Sequence, residues 1–248
     1  MLFTPRRTRR LLVLSAGAAL GLAALATPGA EAGAPSTRLL IDFGQAGTLT
    51  AGSTVADASG YGNVGTVKTK SGGAIDTADT TARFPGRCTQ EPCPNAIIEV
   101  PSSGSLNPGT AAFEWGASIL LAPDDTSDGE NVIQKGLYGG AGGQWKLQVD
   151  KSAGKPSCVV SGKHNGTSRQ VVLTSPVSVA DGAWHQVTCR RTATAVALII
   201  DGTTRATASM PAVNLTSTAV VTIGGKNAST ADNDQFQGRL DDVFMRLV

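Results

Sequence analysis

Charged side chains are scarce in this chain of 248 residues, because Asp, Glu, Lys and Arg make up only 16% of it. Soluble domains usually contain about 25%, and disordered chains are poorer in aliphatic residues, so disorder is excluded. The net charge is +2, and four Arg and one Glu within residues 1–32 contribute +3, which leaves −1 for the remainder. That remainder lacks the basic footprint for nucleic acid and a polybasic patch for anionic membranes.

Residues for metal or nucleophilic chemistry are also few. The chain has two His and four Cys and contains no C-x-x-C pair, which argues against a zinc–thiolate site. It contains no G-x-S-x-G motif, and its glycines form no phosphate-binding loop between a strand and a helix. These absences remove the common signatures of hydrolases and nucleotide-binding enzymes, and catalysis is not expected.

A long apolar run occurs once, near the N-terminus. Arg6 to Arg10 are followed by the apolar stretch Leu11 to Leu25 and by the A-x-A motif Ala30-Glu31-Ala32, an order typical of a secretory signal peptide. The apolar stretch is shorter than the roughly 20 residues that span a bilayer. We expect residues 1–32 to be removed and residues 33–248 to be secreted, with no membrane insertion after cleavage. The pair Arg9-Arg10 leaves the route open between general secretory and twin-arginine export.

All four cysteines lie in the expected mature part. An even number of Cys in an exported protein predicts two disulfides. Cys88 and Cys93 are five positions apart in a loop-like, proline-containing stretch, whereas Cys158 and Cys189 each lie in a strand-like run. Of the three possible pairings, we favour Cys88 with Cys93 and Cys158 with Cys189.

Alternating apolar residues indicate an all-β protein. Trp145, Leu147 and Val149 alternate with polar residues, as in an antiparallel strand with one buried face. About a dozen such runs are separated by turn residues such as Asp201-Gly202, and no stretch has a helical period. One two-sheet antiparallel β-sandwich is expected over residues 33–248.

Four segments of the chain carry family motifs. They are D-x-S-G-x-G-N-x-G-T at 57–66, the strand and loop at 98–107 leading to Phe113, D-G-x-W-H-x-V at 181–187, and F-x-G-x-L-D-D-V at 236–243. Their order resembles the laminin-G-like jelly-roll domains of the concanavalin A-like lectin/glucanase superfamily, particularly those of secreted bacterial proteins. The resemblance implies a concanavalin A-like jelly roll. Glycanases of this superfamily use E-x-D-x-x-E, which is missing here.

The resemblance also implies a structural calcium ion. Members of the family often hold Ca²⁺ between the closing strand and an early loop, and hard cations take carboxylate and carbonyl oxygens. The matching positions in this chain are Asp42, Asn63 and Asp242, with Asp241 as the alternate. Strand alternation places Asp241 and Asp242 on opposite faces, so one of them is expected to face the ion.

Sugar recognition typically uses exposed aromatic rings with polar partners. Trp115, Trp145 and Trp184 are interpreted as structural core residues, which leaves Tyr61 and Tyr138 as the candidate ligand contacts. The expected function is a secreted, non-catalytic lectin-like module that binds extracellular carbohydrate. The alternatives are an adhesive module that binds a surface protein and, less favoured, a glycan hydrolase or lyase.

Overall fold

Two antiparallel β-sheets packed face to face account for most of the structure. The computed structural model describes residues 35–150, 153–229 and 233–248, so the predicted signal peptide, residues 1–32, lies outside the described residues. In those described ranges, no helix is long and apolar enough to cross a membrane. The two-sheet antiparallel sandwich predicted from the sequence is confirmed.

Sheet A is the broader of the two sheets among the described residues. Its strands in spatial order are β15 (Thr203–Ser209), β14 (Ala195–Ile200), β13 (Trp184–Arg191), β8 (Phe113–Leu120), β17 (Arg239–Leu247), β6 (Ala82–Arg83), β5 (Ile75–Asp76) and β2 (Thr48–Leu49). The first strand, β1 (Ser36–Ile41), pairs with the C-terminal half of β17, with Ile41 opposite Val243. The earliest and the latest described strands are therefore neighbours.

Sheet B covers the inner face of sheet A. Its strands in spatial order are β12 (Thr167–Thr174), β11 (Lys155–His164), β10 (Gln144–Asp150), β9 (Glu130–Lys135), β16 (Val221–Ile223), β7 (Asn95–Val100), β4 (Gly65–Lys70) and β3 (Thr54–Val55). Single 3₁₀ turns at Gly104–Leu106 and Pro123–Asp125 are the only helical elements of the described residues.

Aromatic rings from both sheets meet in the core. Phe113 and Trp115 on β8 stack at 4.6 Å between ring centroids, and the ring of Trp145 on β10 lies 6.0 Å from that of Trp115. Leu147 and Val149 are buried beside Trp145, as the alternation predicts. Burial of each large apolar side chain stabilises the fold by about 1.5–3 kcal/mol, so this cluster holds the sheets together.

Both predicted disulfides are present in the structure. Cys88 and Cys93 close a short loop, while Cys158 on β11 is bonded to Cys189 on β13. The second bond joins sheet B to sheet A across the core, since both of its cysteines are fully buried.

Loss of the cross-sheet disulfide is expected to cost more stability than loss of the loop disulfide. The double variant Cys158→Ala/Cys189→Ala should lower the free energy of unfolding by about 2–4 kcal/mol. The bond links two cysteines that are 31 positions apart, and it therefore restricts the conformational freedom of the unfolded chain. Cys88→Ala/Cys93→Ala is the matched control. Urea unfolding followed by circular dichroism measures both, and an equal loss in the two variants would contradict the prediction.

Candidate functional site

An open cleft of about 420 Å³ lies on the outer face of sheet A. We call it the Trp184 cleft, and its lining residues are Thr81, Ser118, Trp184, His185, Gln186 and Asp241. Strand register explains the arrangement, since Ser118 in the central strand β8 lies opposite Gln186 on one side and opposite Asp241 on the other. Ala117 and Ile119 flank Ser118 and are buried, so Ser118 and its two cross-strand partners face outward.

Trp184 is the aromatic side of this cleft. Its side chain is 43% exposed, so the interpretation of Trp184 as a core residue is wrong. The physical reason is alternation along β13: Val187 and Cys189 face the core, whereas Trp184 shares its face with Gln186. The signal was present in the sequence, because Trp184 is three positions from Val187, an odd spacing that places two strand residues on opposite faces.

Asp241 supplies the carboxylate of the cleft. Burial raises the pKa of Asp241, and the nearby carboxylates of Asp242 and Asp42 raise it further. A hydrogen bond from the Asp242 backbone N–H to Asp241 Oδ1, at 2.8 Å, acts in the opposite direction. The pairing of β17 with β8 shifts register between Asp241 and Phe244, and Asp242 has φ of 45°. The expected simple alternation of Asp241 and Asp242 is therefore interrupted by a bulge.

His185 fixes the start of β13 beneath the cleft. Its Nδ1 lies 2.8 Å from Asp201 Oδ2 and its Nε2 lies 3.1 Å from Asp181 Oδ1. The Gln186 backbone N–H donates to Asp201 Oδ1 at 2.9 Å. Partial burial by itself would lower the pKa of His185, but the two carboxylates outweigh it and raise the pKa. The His185 ring therefore joins the turns that contain Asp181 and Asp201.

The two tyrosines predicted as ligand contacts lie at the other end of the sandwich. Tyr61 is 44% exposed, its hydroxyl lies 3.3 Å from Ser36 Oγ, and the Arg38 guanidinium lies 4.5 Å from its ring centroid. Tyr138 is 72% exposed in the glycine-rich loop between β9 and β10. Their role in ligand binding stays a prediction, and the structure does not bring them into the Trp184 cleft.

The four predicted metal ligands separate into two places. Asp42, Asp241 and Asp242 lie near one another, since the carboxylates of Asp42 and Asp242 influence Asp241. Asn63 instead contacts the backbone of Arg38 on β1. Arg38 lies four residues before Asp42, so the two positions are about 13 Å apart along an extended strand.

The amide of Asn63 is already used within the fold. Its Nδ2 donates to the Arg38 carbonyl at 2.7 Å and to Ser105 Oγ at 3.0 Å, and its Oδ1 accepts from Ser103 Oγ at 2.7 Å. The structure thus places Asn63 apart from the other three predicted ligands, with its amide engaged in hydrogen bonds, and its role as a metal ligand stays a prediction. Across residues 35–150, 153–229 and 233–248, no group of three His, Cys, Asp or Glu side chains has the arrangement of a metal site.

Comparisons with known families and with solved structures agree with the β-sandwich fold described above. A laminin-G family model, described as concanavalin A-like lectin/glucanases superfamily, matches residues 100–245. No curated protein matches the sequence significantly.

Several solved structures share this fold. The binding domain of Paraclostridial Mosquitocidal Protein 1 superposes with a TM-score of 0.59 at 15% identity, over 86% of this chain and 49% of the other. This chain thus spans about half the length of that structure. Domain 4 of AbnA, an extracellular arabinanase of Geobacillus stearothermophilus solved with arabinotriose, superposes with a TM-score of 0.58 at 13% identity. The match covers 86% of this chain and 93% of that domain. A botulinum neurotoxin type C structure, described as interacting with two ganglioside molecules, superposes with a TM-score of 0.54 at 13% identity. The match covers 86% of this chain and 47% of the other.

Replacement of Asp201 is expected to lower the pKa of His185. In the native protein that pKa is raised above the ordinary value of 6.5. The contribution of the His185–carboxylate contacts to the free energy of unfolding is therefore fully present below pH 6.5, and it is lost as the pH rises through the pKa of His185 in the folded protein. Asp201→Asn removes one carboxylate and should lower the pKa towards the ordinary value. NMR titration of the His185 ring protons measures it, and an unchanged pKa would show that Asp201 is not the cause.

Proposed function

Because the chain belongs to the concanavalin A-like lectin/glucanase superfamily, we propose that it is a secreted, non-catalytic module that binds extracellular carbohydrate through the Trp184 cleft. The exposed ring of Trp184 beside a hydroxyl, an amide and a carboxylate is the observation that carries this proposal. A sugar ring has an apolar C–H face and a rim of hydroxyls. An aromatic surface next to Ser118, Gln186 and Asp241 offers a partner to each.

The size and polarity of the cleft support a carbohydrate ligand. Its volume of about 420 Å³ lies within the range of small-ligand sites, about 300–1,000 Å³. The amide of Gln186 and the hydroxyl of Ser118 can each donate and accept hydrogen bonds. The hydroxyl groups of a sugar also donate and accept hydrogen bonds, so they are matching partners. The structural relatives solved with arabinotriose or described as binding gangliosides make carbohydrate a reasonable ligand class for this fold.

The presence of a single carboxyl group among the residues that line the cleft supports binding without hydrolysis. Glycosidases place two carboxyl groups on either side of the scissile bond. Among the residues that line the Trp184 cleft, Asp241 alone carries a carboxyl group. We infer that Asp241 accepts hydrogen bonds from ligand hydroxyls.

Extracellular location is part of the same proposal. Two disulfides involve all four cysteines, and such bonds persist in oxidising compartments. The predicted signal peptide at residues 1–32 agrees with that location.

Truncation of the tryptophan is expected to weaken glycan retention at least about tenfold, equivalent to about 1.4 kcal/mol. The chain from Gly33 onward, which contains the whole core cluster, is applied to arabinan and other insoluble polysaccharides, and Trp184→Ala is compared with it. Because Trp184 is 43% exposed, the variant should keep its fold, which circular dichroism verifies.

Tyr138→Ala and Tyr61→Ala are the matched controls on the other end of the sandwich. Loss of retention in these variants and not in Trp184→Ala would move the sugar site to the tyrosines. If the native protein is retained on no glycan, the carbohydrate proposal fails and a surface protein becomes the expected ligand.

A structural calcium ion at Asp42, Asp241 and Asp242 is a separate proposal. These carboxylates do not form a ready-made three-ligand site, so one or two of them would hold the ion together with backbone carbonyl oxygens and water, which hard cations accept. The ion would relieve the repulsion that the charges of Asp42 and Asp242 exert on Asp241. Calcium is expected to raise the melting temperature, and Asp242→Asn should abolish that increase. Thermal unfolding with calcium and with chelator measures it, and identical curves in the native protein would refute calcium binding.

A further inference from the structure

Five loops at one end of the sandwich are almost free of charge. We call this end the Tyr138 pole, and its loops are residues 56–64, 101–111, 136–143, 165–166 and 210–220. They contain one Asp and no Glu, Lys or Arg, although charged residues make up 16% of the whole chain. The concentration of neutral residues at one end cannot be seen in the sequence, where these loops are far apart.

Hydrogen bonds and close packing bring these loops together. Gly109 and Leu215 exchange backbone hydrogen bonds at 3.2 and 3.1 Å, and the Ser217 backbone N–H donates to Asn107 Oδ1 at 3.1 Å. A Cβ on Gly142, whose φ is +85°, would lie only 2.1 Å from the Thr216 carbonyl oxygen. The glycine-rich loop is therefore packed directly on the 210–220 loop.

Large apolar side chains are exposed at the same pole. Leu137 is 58% exposed, Tyr138 is 72% exposed, and Tyr61, Val64 and Val220 are each between 39% and 44% exposed. Exposed apolar groups concentrated at one place mark an interaction surface.

The base of the glycine-rich loop is held firmly. Lys135, at the end of β9, is buried, and its Nζ donates to Ser102 Oγ at 2.8 Å and to the Ala219 carbonyl at 2.6 Å. Arg191 is also buried and donates to the carbonyls of Val213 and Gly109. The tip residues Leu137 and Tyr138 thus project from a fixed support.

The single carboxylate of these loops is fully engaged. Asp57 accepts hydrogen bonds from the backbone N–H of Leu40 at 3.0 Å, of Ser59 at 2.9 Å and of Asn63 at 2.9 Å. It also accepts one from Ser59 Oγ at 2.8 Å. Its oxygens are therefore satisfied by donors from this loop and from β1.

Cations lie at two places beside the pole, on the β11–β12 hairpin and on β1. Lys163 forms a bridge to Asn214 of the 210–220 loop, and Arg169 lies opposite Gly162 in the β11–β12 hairpin. Both side chains are exposed. Arg38 packs its guanidinium over the ring of Tyr61.

The loops at the opposite end of the sandwich are acidic. The loops 84–94, 121–129, 175–183 and 201–202 contain six carboxylates and one Arg. The two ends are separated by the length of β13, about 23 Å for its 8 residues. This distance exceeds the Debye length of about 8 Å at physiological salt, so a surface that approaches the Tyr138 pole meets only its local charges.

We propose that the Tyr138 pole docks the protein onto an anionic lipid bilayer. Leu137 and Tyr138 enter the headgroup region, where amphipathic tyrosine rings are favoured, while Arg38, Lys163 and Arg169 face the lipid phosphates. No continuous polybasic segment of the sequence indicates this surface, because its cations come from separate strands. Protruding apolar tips, cations beside them and a single, hydrogen-bonded side-chain carboxylate in the loops are complementary to such a bilayer. The Trp184 cleft, at the other end, is left accessible.

Vesicle sedimentation tests this proposal on the chain from Gly33 onward, which removes the apolar stretch Leu11 to Leu25. The protein is mixed with vesicles of phosphatidylcholine alone or with about a quarter phosphatidylglycerol. The protein is expected to bind the anionic vesicles and to bind the neutral vesicles at least about fivefold more weakly. Each Lys or Arg near an anionic surface raises the affinity by a factor of about five. No binding to anionic vesicles, or equal binding to both, would overturn the proposal.

Paired variants identify the surface that binds. Leu137→Ser/Tyr138→Ser should weaken vesicle binding about tenfold, and Lys163→Glu/Arg169→Glu should weaken binding to the anionic vesicles. Val172→Ser is the matched control, because Val172 is 56% exposed on β12, outside the pole loops. Equal loss in the control, or unchanged binding in the tip variant, would overturn the proposal.

A fluorescence readout separates docking from misfolding. Tyr138→Trp places a reporter at the tip, since Trp115 and Trp145 are buried and Trp184 lies at the other end. Addition of anionic vesicles should shift its emission to the blue. A spectrum that does not change on addition would show that the tip stays in water, and would refute the proposal whatever the glycan assays show.

Discussion

The burial of one face of each sheet against the other is the constraint on which the rest of the structure depends. Phe113 and Trp115 from sheet A and Trp145 from sheet B occupy the centre of that interface. Once Val187 and Cys189 are directed inward, Trp184 and Gln186 must point outward, because successive strand residues alternate. The Trp184 cleft is thus a geometric result of core packing, and its chemistry comes from the residues that the core leaves outside.

Buried charges at strand ends are accommodated by carbonyl groups and ion pairs. Arg191 has its pKa lowered to about 10 by burial and Lys135 has its pKa lowered to about 8, yet both donate to backbone carbonyls of adjoining loops. Glu114, 1% exposed, pairs with Arg190 and Arg246 on the outer face of sheet A. A buried charge left without its partner would be strongly destabilising, so these contacts fix the loops at the strand ends.

The sequence was sufficient for the architecture and for the covalent bonds. Alternation around Trp145 and the spacing of the four cysteines are local signals, and both led to the observed arrangement. The cleft was missed for a different reason. Ser118, Gln186 and Asp241 are neighbours only through strand register, which no local pattern encodes, and the two-residue strands β5 and β6 are too short to show alternation. Asn63 was predicted as a metal ligand from the family resemblance, and its hydrogen bonds to Arg38, Ser103 and Ser105 could not be predicted from the sequence, because these residues are distant along the chain.

The Cys158–Cys189 bond has a mechanical consequence. It lies between the second strand of sheet B and the third strand of sheet A, counted from the side where β12 and β15 form the edges. A force that slides one sheet over the other would separate noncovalent contacts one by one, but at this point it must stretch a covalent bond. Shear is therefore converted into rotation about a fixed pivot near one side of the sandwich. The side containing β2 and β3, which has no such pivot among the described residues, would open first under load.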